Sequence, residues 1–308
     1  MFKKSLDNNV KYYGYEKWEN LVEKKYLYKL SSDKILDELK SNGMEVVVLV
    51  FNNKFEKRSL KDEYLKKILN GKRKQIFVYM ADDTGKIPNK IMGEKNLVFK
   101  SHIGNKKKGL DFIPVGVPNL ERVSYGSNGK SEYINVFFSG NMNSNRRNLH
   151  RALSGSVLPK EVYKKTLEWG SPSMDFSDQF SDSIIRFTQE WAGGMGADEY
   201  QETMWRSKIA LCPAGFRSSE TFRHCEALRA GCAVISERLP PSNPFYQTSA
   251  IIQVDSAREM VDKARELLSN EGRLEHLMQL SRRWWERKCS PEAVAEYVYE
   301  KAISYYGD

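Results

Sequence analysis

Long apolar runs are missing from this sequence. The longest, Val46–Phe51, has six residues, whereas a helix that spans a bilayer needs roughly 20. The N-terminus is basic, but no apolar segment of the kind found in signal peptides follows it. We therefore expect a soluble, cytoplasmic protein that is at most peripheral on the inner face of the membrane.

Cysteine is scarce as well. The chain has four, Cys212, Cys225, Cys232 and Cys289, and their spacing fits no usual zinc pattern. We expect buried thiols that stay reduced, as in cytosolic proteins. A zinc site built from His224 with Cys225 and Cys212 is the alternative.

Neither an internal repeat nor a low-complexity tract occurs in the 308 residues, of which 40% are hydrophobic. A wholly disordered chain is therefore excluded by composition. The length provides for one large core or two modest ones, and it favours two domains.

The positive charge is concentrated in one part of the chain. Residues 1–110 contain 25 Lys and Arg against 14 Asp and Glu, whereas the remaining residues contain 24 against 26. A basic lobe suggests an anionic partner such as membrane headgroups, a phosphorylated acceptor or nucleic acid. With Lys106–Lys108 and a pI near 9.1, a nucleic-acid-binding protein is the competing class. No recognised nucleic-acid-binding module is present, so we expect contact with an anionic membrane and no nucleic acid.

Short apolar strands alternate with helices along the chain. This order predicts an α/β protein with two facing Rossmann-like domains and a cleft between them. Predicted strands cover residues 44–51, 75–80, 96–100, 133–139, 208–212, 232–236 and 250–254. Predicted helices cover residues 60–69, 145–153, 198–206, 219–230, 257–268, about 273–287 and 291–305. Residues 170–196, rich in Ser, Gly and Asp, are expected to form an irregular loop near the cleft.

Turn residues cluster between Pro118 and Glu132 and place the domain boundary there. The predicted domains are a basic domain over 1–118 and a second domain over 119–290. Residues 291–308 are predicted to form a C-terminal helix. One arrangement for this helix is packing against the first domain.

The segment from 207 to 235 carries the most chemical information. A buried strand leads into the loop Pro213–Ser219, in which Gly215 permits a tight backbone and the hydroxyl groups suit a helix cap. The helix predicted to start at Ser219 has Thr221 and Arg223 in its first turns. Free N–H groups, hydroxyls and an arginine at a helix N-terminus form an anion site, for which a diphosphate is the natural ligand.

Helical spacing adds a carboxylate to this site. Ser219, Arg223 and Glu226 stand at i, i+4 and i+7, which predicts one shared face. Glu226 would then be placed to accept hydrogen bonds from a ribose diol. The alternative is that Arg223 and Glu226 form an ordinary surface pair.

This segment resembles the donor-binding signature of exostosin-type glycosyltransferases over about 40 residues. The matching elements are Leu211-Cys212-Pro213 with Gly215, Ser219 with Arg223, Glu226-Ala227, Gly231-Cys232, Val234-Ile235 and Pro244-Phe245. Two weaker similarities to the same family are Val136–Gly140 followed by Asn145-Arg146-Arg147, and Val98–His102 followed by Phe112–Gly116.

The resemblance implies the GT-B fold, a nucleotide-sugar donor and inverting transfer that needs no metal and no cofactor. Carried over position by position, Glu226 would bind the ribose, and Arg223, Ser219 and Arg146 or Arg147 the diphosphate. The predicted donor-binding residues are Gly140, Arg146, Arg147, Pro213, Gly215, Arg217, Ser218, Ser219, Thr221, Arg223 and Glu226.

The expected donor is a UDP- or GDP-sugar, and the expected acceptor is a saccharide or a lipid-linked saccharide. The chain lacks the membrane anchor and the secretory-type cysteines of animal exostosins. A bacterial enzyme of cell-surface polysaccharide or lipopolysaccharide synthesis is therefore the preferred interpretation. A catalytically inactive module that binds nucleotide sugars is a further alternative.

An inverting transferase needs a base near the acceptor hydroxyl. Asp82 and Asp83 follow one predicted strand, and His102 follows the next. We favour Asp83 or Asp82 as the base, and then His102. The Asp pair could instead form a turn or helix cap, or a metal site of the kind found in GT-A enzymes.

Overall fold

The computed structural model describes residues 4–7, 10–14, 38–39, 41–50, 66–67, 70, 73–80, 85, 87, 91–93, 95–104, 107–117, 134–154, 174–188, 194–241 and 243–307. The chain forms two compact units. The first consists of Met1–Leu120 and Arg287–Asp308, and the second of Glu121–Glu286. Among the described residues, no helix combines the length and the apolarity needed to cross a bilayer.

A six-stranded sheet forms the first unit. Its strands are β1 (Lys4–Asp7), β2 (Val10–Gly14), β3 (Met44–Val50), β4 (Lys74–Met80), β5 (Asn96–Lys100) and β6 (Leu110–Phe112). They lie in the order β1-β2-β3-β4-β5-β6. Strands β1 and β2 pair antiparallel, and the other pairs are parallel. Every residue of β5 is buried, as expected for a parallel strand covered on both faces.

The last helix of the chain completes the core of this unit. Helix α7 (Pro291–Tyr306) begins with Ser290 as its N-cap, whose Oγ accepts from Ala293 N at 3.2 Å. Its buried residues, Val298 among them, pack with Phe99 and other strand residues in one apolar cluster. The Tyr306 hydroxyl also donates to the carbonyl oxygen of Gln75 at 2.7 Å.

The second unit has a six-stranded sheet of its own. Its strands are β7 (Ile134–Asn141), β8 (Met174–Asp175), β9 (Ile184–Thr188), β10 (Ser207–Cys212), β11 (Ala233–Glu237) and β12 (Ile252–Val254). The described helices that follow or separate them are α1 (Arg147–Ser154), α2 (Ala197–Trp205), α3 (Phe222–Ala230), α4 (Pro244–Gln247), α5 (Ala257–Leu268) and α6 (Glu271–Lys288). The strand order is β12-β11-β10-β7-β9-β8, with only β8 antiparallel to its neighbour.

Helices cover both faces of this second sheet. Because side chains alternate along a strand, Phe138 joins the cluster that contains Leu149 of α1 and Met260 of α5. The preceding residue, Phe137, faces the other way and contacts Tyr200 of α2 at a centroid distance of 5.3 Å. Helix α3 packs beside α2 and against β10 and β11. This unit is therefore doubly wound, with α1 and α5 on one face and α2 and α3 on the other.

The strand order reverses between β7 and β10. From β7 the chain proceeds through α1 to β9 on one side, and it then crosses to β10, β11 and β12 on the other side. At such a switch point the two connecting loops diverge, which leaves a crevice outside the carboxyl ends of the strands. The loops after β7 and after β10 border this crevice.

The prediction that residues 170–196 are irregular is wrong for the described residues 174–188. This stretch contains β8, a 3-10 turn over Ser177–Gln179 and β9, which lies directly beside β7. In β9 the buried and half-buried residues alternate over only five positions, and the Ser and Asp residues before it are typical of loops. The predicted helix over 60–69 lies mostly outside the described residues.

Candidate functional site

Two arginines meet over Gly140 near the carboxyl end of β7. A Cβ atom at Gly140 would lie 2.6 Å from Nη2 of Arg223 and 2.9 Å from Nη1 of Arg146. These distances are shorter than real Cβ contacts, so both guanidinium groups can take these positions only above a glycine. The structure thus brings together three residues that were predicted to bind the donor.

Arg223 reaches this point from the first turn of α3. Its Nη2 donates to the carbonyl oxygen of Ser139 at 2.5 Å, and its guanidinium lies 4.8 Å from the centroid of the Phe138 ring. Only 8% of the residue is exposed. Its Nε is buried without a hydrogen-bond partner, which is costly for a charged donor unless a ligand supplies an acceptor.

Arg146 approaches from the loop that precedes α1. Its Nη1 donates to the carbonyl oxygen of Asn141 at 2.6 Å, and its Nε donates to that of Ala214 at 3.3 Å. The same Phe138 ring lies 5.6 Å from this guanidinium. Arg146 therefore connects the loop after β7 with the loop after β10.

The charge of Arg223 destabilises that of Arg146, whereas for Arg223 the effect of burial is outweighed by nearby Tyr200, Cys212 and Glu226, which raise its pKa. Burial, and then the charge of Arg223, lower the pKa of Arg146 to about 9. Two buried cations that lie against one aromatic ring gain free energy when an anion binds between them. The arrangement is therefore suited to a ligand with more than one negative charge.

Helix α3 begins at Phe222, three residues later than predicted, with Thr221 as its extended N-cap. The Thr221 amide donates to Nδ1 of His224 at 3.1 Å. Nε2 of His224 lies 2.7 Å from Oγ of Ser236. Histidine thus takes the place of the Glu or Gln of a capping box. The prediction that Ser219 shares a helical face with Arg223 and Glu226 is therefore wrong.

Hydrogen bonds fix the loop after β10. The Ala214 amide donates to Oε2 of Glu237 at 2.8 Å. The Gly215 amide donates to the carbonyl oxygen of Ser218, also at 2.8 Å. Asn145, the residue before Arg146, donates from Nδ2 to the carbonyl oxygen of Gly215 at 2.6 Å. The loop is therefore held against the loop after β7.

A buried carboxylate holds the end of the same loop. Glu220 is 3% exposed. It accepts a hydrogen bond from the Tyr246 hydroxyl at 2.8 Å and one from Nδ2 of Asn243 at 3.3 Å. Sequence reasoning missed Glu220, and it also missed Glu237 and Tyr200. A carboxylate next to a predicted helix start is commonly exposed, so Glu220 carried no distinguishing signal.

Glu226 is buried and does not form a surface pair with Arg223. Burial raises the pKa of its carboxyl group, while the charge of Arg223 and a hydrogen bond from Tyr200 oppose that rise. Both Arg223 and Glu226 are only 8% exposed. This excludes the interpretation of the two residues as a solvated i,i+3 pair.

The remaining predicted donor-binding residues lie around this centre. Pro213 and Gly215 are buried, Ser218, Ser219 and Thr221 are half-buried, and Arg217 is exposed. Arg147 is half-buried and opens α1.

The structure describes only one of the three residues predicted to act as the catalytic base. Asp82 and Asp83 lie outside the described residues. His102 belongs to the first unit and is half-buried, with its Nδ1 3.2 Å from Oγ of Ser101. The assignment of a base to any of the three stays a prediction.

The four cysteines are free and buried, as predicted from the sequence. In the part of the chain that the structure describes, no group of three or more His, Cys, Asp or Glu residues is arranged to hold a metal ion. His224, the histidine of the alternative zinc site, uses its ring nitrogens for the cap of α3 and for a contact with Ser236.

Comparison with solved structures identifies the fold. Sucrose-phosphate synthase from Thermosynechococcus elongatus has a TM-score of 0.50 at 10% identity, over 93% of this chain and 80% of that protein. A glycosyltransferase from Rickettsia africae has a TM-score of 0.50 at 11% identity, over 91% and 81%. The chain has two α/β units, each built on a largely parallel sheet. Together with the two similarities, this architecture defines a GT-B fold.

The family follows from the sequence match. The glycosyl transferase-like family matches residues 143–300, which is just over half of the chain and includes the arginine pair. The chain belongs to this family. No curated protein matches the sequence. The solved structure of TarM is 13% identical, with a TM-score of 0.46 over 85% of this chain, and the chain spans 55% of the length of TarM.

Proposed function

We propose that this protein transfers a sugar from a nucleoside-diphosphate donor to a saccharide or a lipid-linked saccharide. The observation that carries the proposal is the pair of buried guanidinium groups over Gly140, at the carboxyl ends of β7 and β10. In doubly wound sheets this switch point is where nucleotide ligands bind. The unpartnered Nε of Arg223 is one donor that a phosphate oxygen would satisfy.

In the proposed reaction the bond between the anomeric carbon and the diphosphate oxygen breaks. Negative charge then develops on the leaving diphosphate, and Arg146, Arg223 and the N-terminus of α3 stabilise it. Since two fixed cations and a helix dipole serve this purpose, transfer in our proposal needs no metal ion. The acceptor oxygen bonds to the anomeric carbon and gives up its proton to a base, for which Asp83, Asp82 and His102 remain our candidates.

Glu226 is proposed to hold the ribose. Its carboxyl group lies one turn behind Arg223 on α3, and Tyr200 donates to it. A buried acceptor next to the diphosphate site can accept hydrogen bonds from a diol. Burial raises the pKa of Glu226, and hydrogen bonds from a ribose diol would oppose that rise.

More specific aspects of the proposal rest on the motif between Leu211 and Phe245. Its similarity to exostosin-type enzymes supports inversion at the anomeric carbon and a role in cell-surface polysaccharide or lipopolysaccharide synthesis. The basic composition of residues 1–110 supports peripheral contact of the first unit with an anionic membrane. UDP and GDP are the proposed nucleotides.

The test is calorimetry of the full chain with pyrophosphate, UDP and GDP. We expect Arg223→Ala to lower the affinity for each ligand that the wild type binds by tenfold or more, because a charge-assisted hydrogen bond contributes about 1.5–3 kcal/mol. Arg223→Lys should recover only part of this affinity, since lysine lacks the planar fork. Glu226→Ala should lower the affinity for the nucleotides but leave the affinity for pyrophosphate unchanged.

Arg283→Ala, which removes an exposed arginine of α6, is the matched control and should bind like the wild type. If the wild type binds none of these ligands but binds random single-stranded DNA in a salt-sensitive way, the transferase proposal is wrong and the nucleic-acid class replaces it. If a nucleotide binds but no sugar nucleotide is ever hydrolysed or transferred, the protein is the inactive module considered above.

A further inference from the structure

Phe216, at the tip of the loop after β10, is exposed to an unusual extent. It is 67% exposed, and it is the only exposed large hydrophobic side chain in the described part of the chain. Folding gains little from an aromatic ring in this position, because most of its apolar area stays in contact with water. Its position beside the arginine pair therefore needs another explanation.

The backbone presents Phe216 in a fixed way. A hydrogen bond closes the turn from Gly215 to Ser218 at 2.8 Å. Nδ2 of Asn145 donates to the carbonyl oxygen of Gly215 at 2.6 Å and lies 3.4 Å from that of Phe216. The guanidinium of Arg217 lies 5.8 Å from the ring centroid of Phe216. These contacts preorganise the loop, so that binding a ligand costs little ordering entropy.

The backbone of Phe216 lies close to the arginine pair. Ala214, whose carbonyl oxygen accepts from Nε of Arg146, precedes Phe216 by two residues. Consecutive Cα atoms are 3.8 Å apart, so the two Cα atoms are separated by less than about 8 Å.

Phe216 and Glu226 lie in different directions from the N-terminus of α3, because Phe216 belongs to the loop before it and Glu226 to the second turn of the helix. Glu226 and Tyr200 belong to α3 and α2, which cover the face of Phe137. Phe216 is tied through Asn145 to the loop that leads into α1, which covers the face of Phe138. A diphosphate bound by the guanidinium pair and the N-terminus of α3 would therefore have Glu226 on the helix side and Phe216 on the loop side.

We infer that Phe216 is a platform for the transferred sugar, an assignment that rests on the proposed function. With the nucleoside directed towards Glu226, the sugar at the other end of the diphosphate meets the Phe216 ring. One face of a pyranose carries several C–H groups and is apolar, so it packs on an aromatic ring while its hydroxyls stay solvated. The residue then contributes to recognition of the sugar and not of the nucleotide.

The experiment compares the affinities of a nucleoside diphosphate and of the corresponding nucleotide sugar. The nucleotide used is one that the wild type binds. Phe216→Ala should lower the affinity for its nucleotide sugar by about tenfold and leave the affinity for its nucleoside diphosphate unchanged. Phe216→Trp should keep the wild-type affinity, and Phe216→Leu should fall between them. The kcat/KM of donor hydrolysis should follow the same order. Because Phe216 is exposed, the melting temperature should not change.

Each other result overturns the assignment. Equal weakening of both ligands would mean that the ring contacts the nucleoside. An unchanged affinity for both, with a higher KM for the acceptor, would mean that it contacts the acceptor. In both cases the Arg223→Ala result stands and the proposed function survives. A wild type that binds neither ligand overturns the proposed function and this inference together.

Discussion

At the scale of single residues, the site depends on Gly140, the residue that lets two like charges approach. The ends of Arg146 and Arg223 occupy the space that any side chain at position 140 would need. Each guanidinium is also bonded to a backbone carbonyl of β7, so neither is free to move without losing that bond. Repulsion between the two cations is thus maintained by the strand itself and is relieved by an anion.

Gly140→Ala should therefore impair both ligand binding and stability. The new Cβ displaces one or both guanidinium groups, and we expect nucleoside-diphosphate affinity to fall by about tenfold or more, the equivalent of one charge-assisted hydrogen bond. The free energy of unfolding should also fall, by about 1.5–3 kcal/mol for each hydrogen bond to β7 that is lost, although relief of the repulsion between the cations offsets part of this loss. Calorimetry together with urea denaturation measures both quantities.

Gly272→Ala is the matched control for this prediction. Nothing lies within 4 Å of a Cβ at Gly272, so ligand affinity should stay the same, and stability should rise by about 0.5–1 kcal/mol for a helical Gly→Ala change. If Gly140→Ala bound the nucleotide with wild-type affinity, the geometry of the arginine pair would not matter for binding.

At the scale of elements, helix α3 has different conformational requirements at its two ends. Its N-terminus is closed by Thr221 and His224. Its C-terminus ends at Gly231, which has φ of 82° in the left-handed region. This end leads directly into β11, so the position of the helix between β10 and β11 depends on a tight turn there.

Gly231→Ala should destabilise the second unit without steric conflict. A Cβ at this position would meet no atom closer than 3.5 Å, so the cost is that of the left-handed backbone alone, roughly 1–2 kcal/mol. Gly231→Asn should cost less, because asparagine tolerates this conformation better. Thermal denaturation followed by circular dichroism should rank the wild type above Asn and Asn above Ala. Equal stability of the Ala variant would mean that the turn relaxes to another conformation.

At the scale of the whole molecule, the α/β class and most elements could be predicted because buried parallel strands are continuously apolar. The predicted strand over 96–100 and helix over 257–268 match β5 and α5. The sequence did not reveal β9, since five alternating residues between polar turns resemble a loop. The motif and its family resemblance predicted that Arg223 and either Arg146 or Arg147 bind a diphosphate. That Arg146 and Arg223 meet over Gly140 depends on strand order, which one sequence does not encode locally.

The two units should respond separately to a mutation in α7. Val298 is fully buried in the core of the first unit, so Val298→Asp should destabilise that unit by several kcal/mol through burial of an unpaired charge. Because the arginine pair lies in the second unit, nucleotide affinity should persist. Glu300→Ala, at an exposed position of α7, should change neither property. Loss of nucleotide binding in Val298→Asp under conditions where the second unit remains folded would contradict this separation.

The division of the first unit into Met1–Leu120 and Arg287–Asp308 has a consequence for the order of events during synthesis. A ribosome releases the strands of the first unit well before α7, and every residue of the second unit emerges between them. The second unit can therefore fold while the chain is still growing, whereas the core of the first must wait for the final turns of α7. We expect the apolar strands of the first unit to be the segments of the nascent chain that most need protection by chaperones.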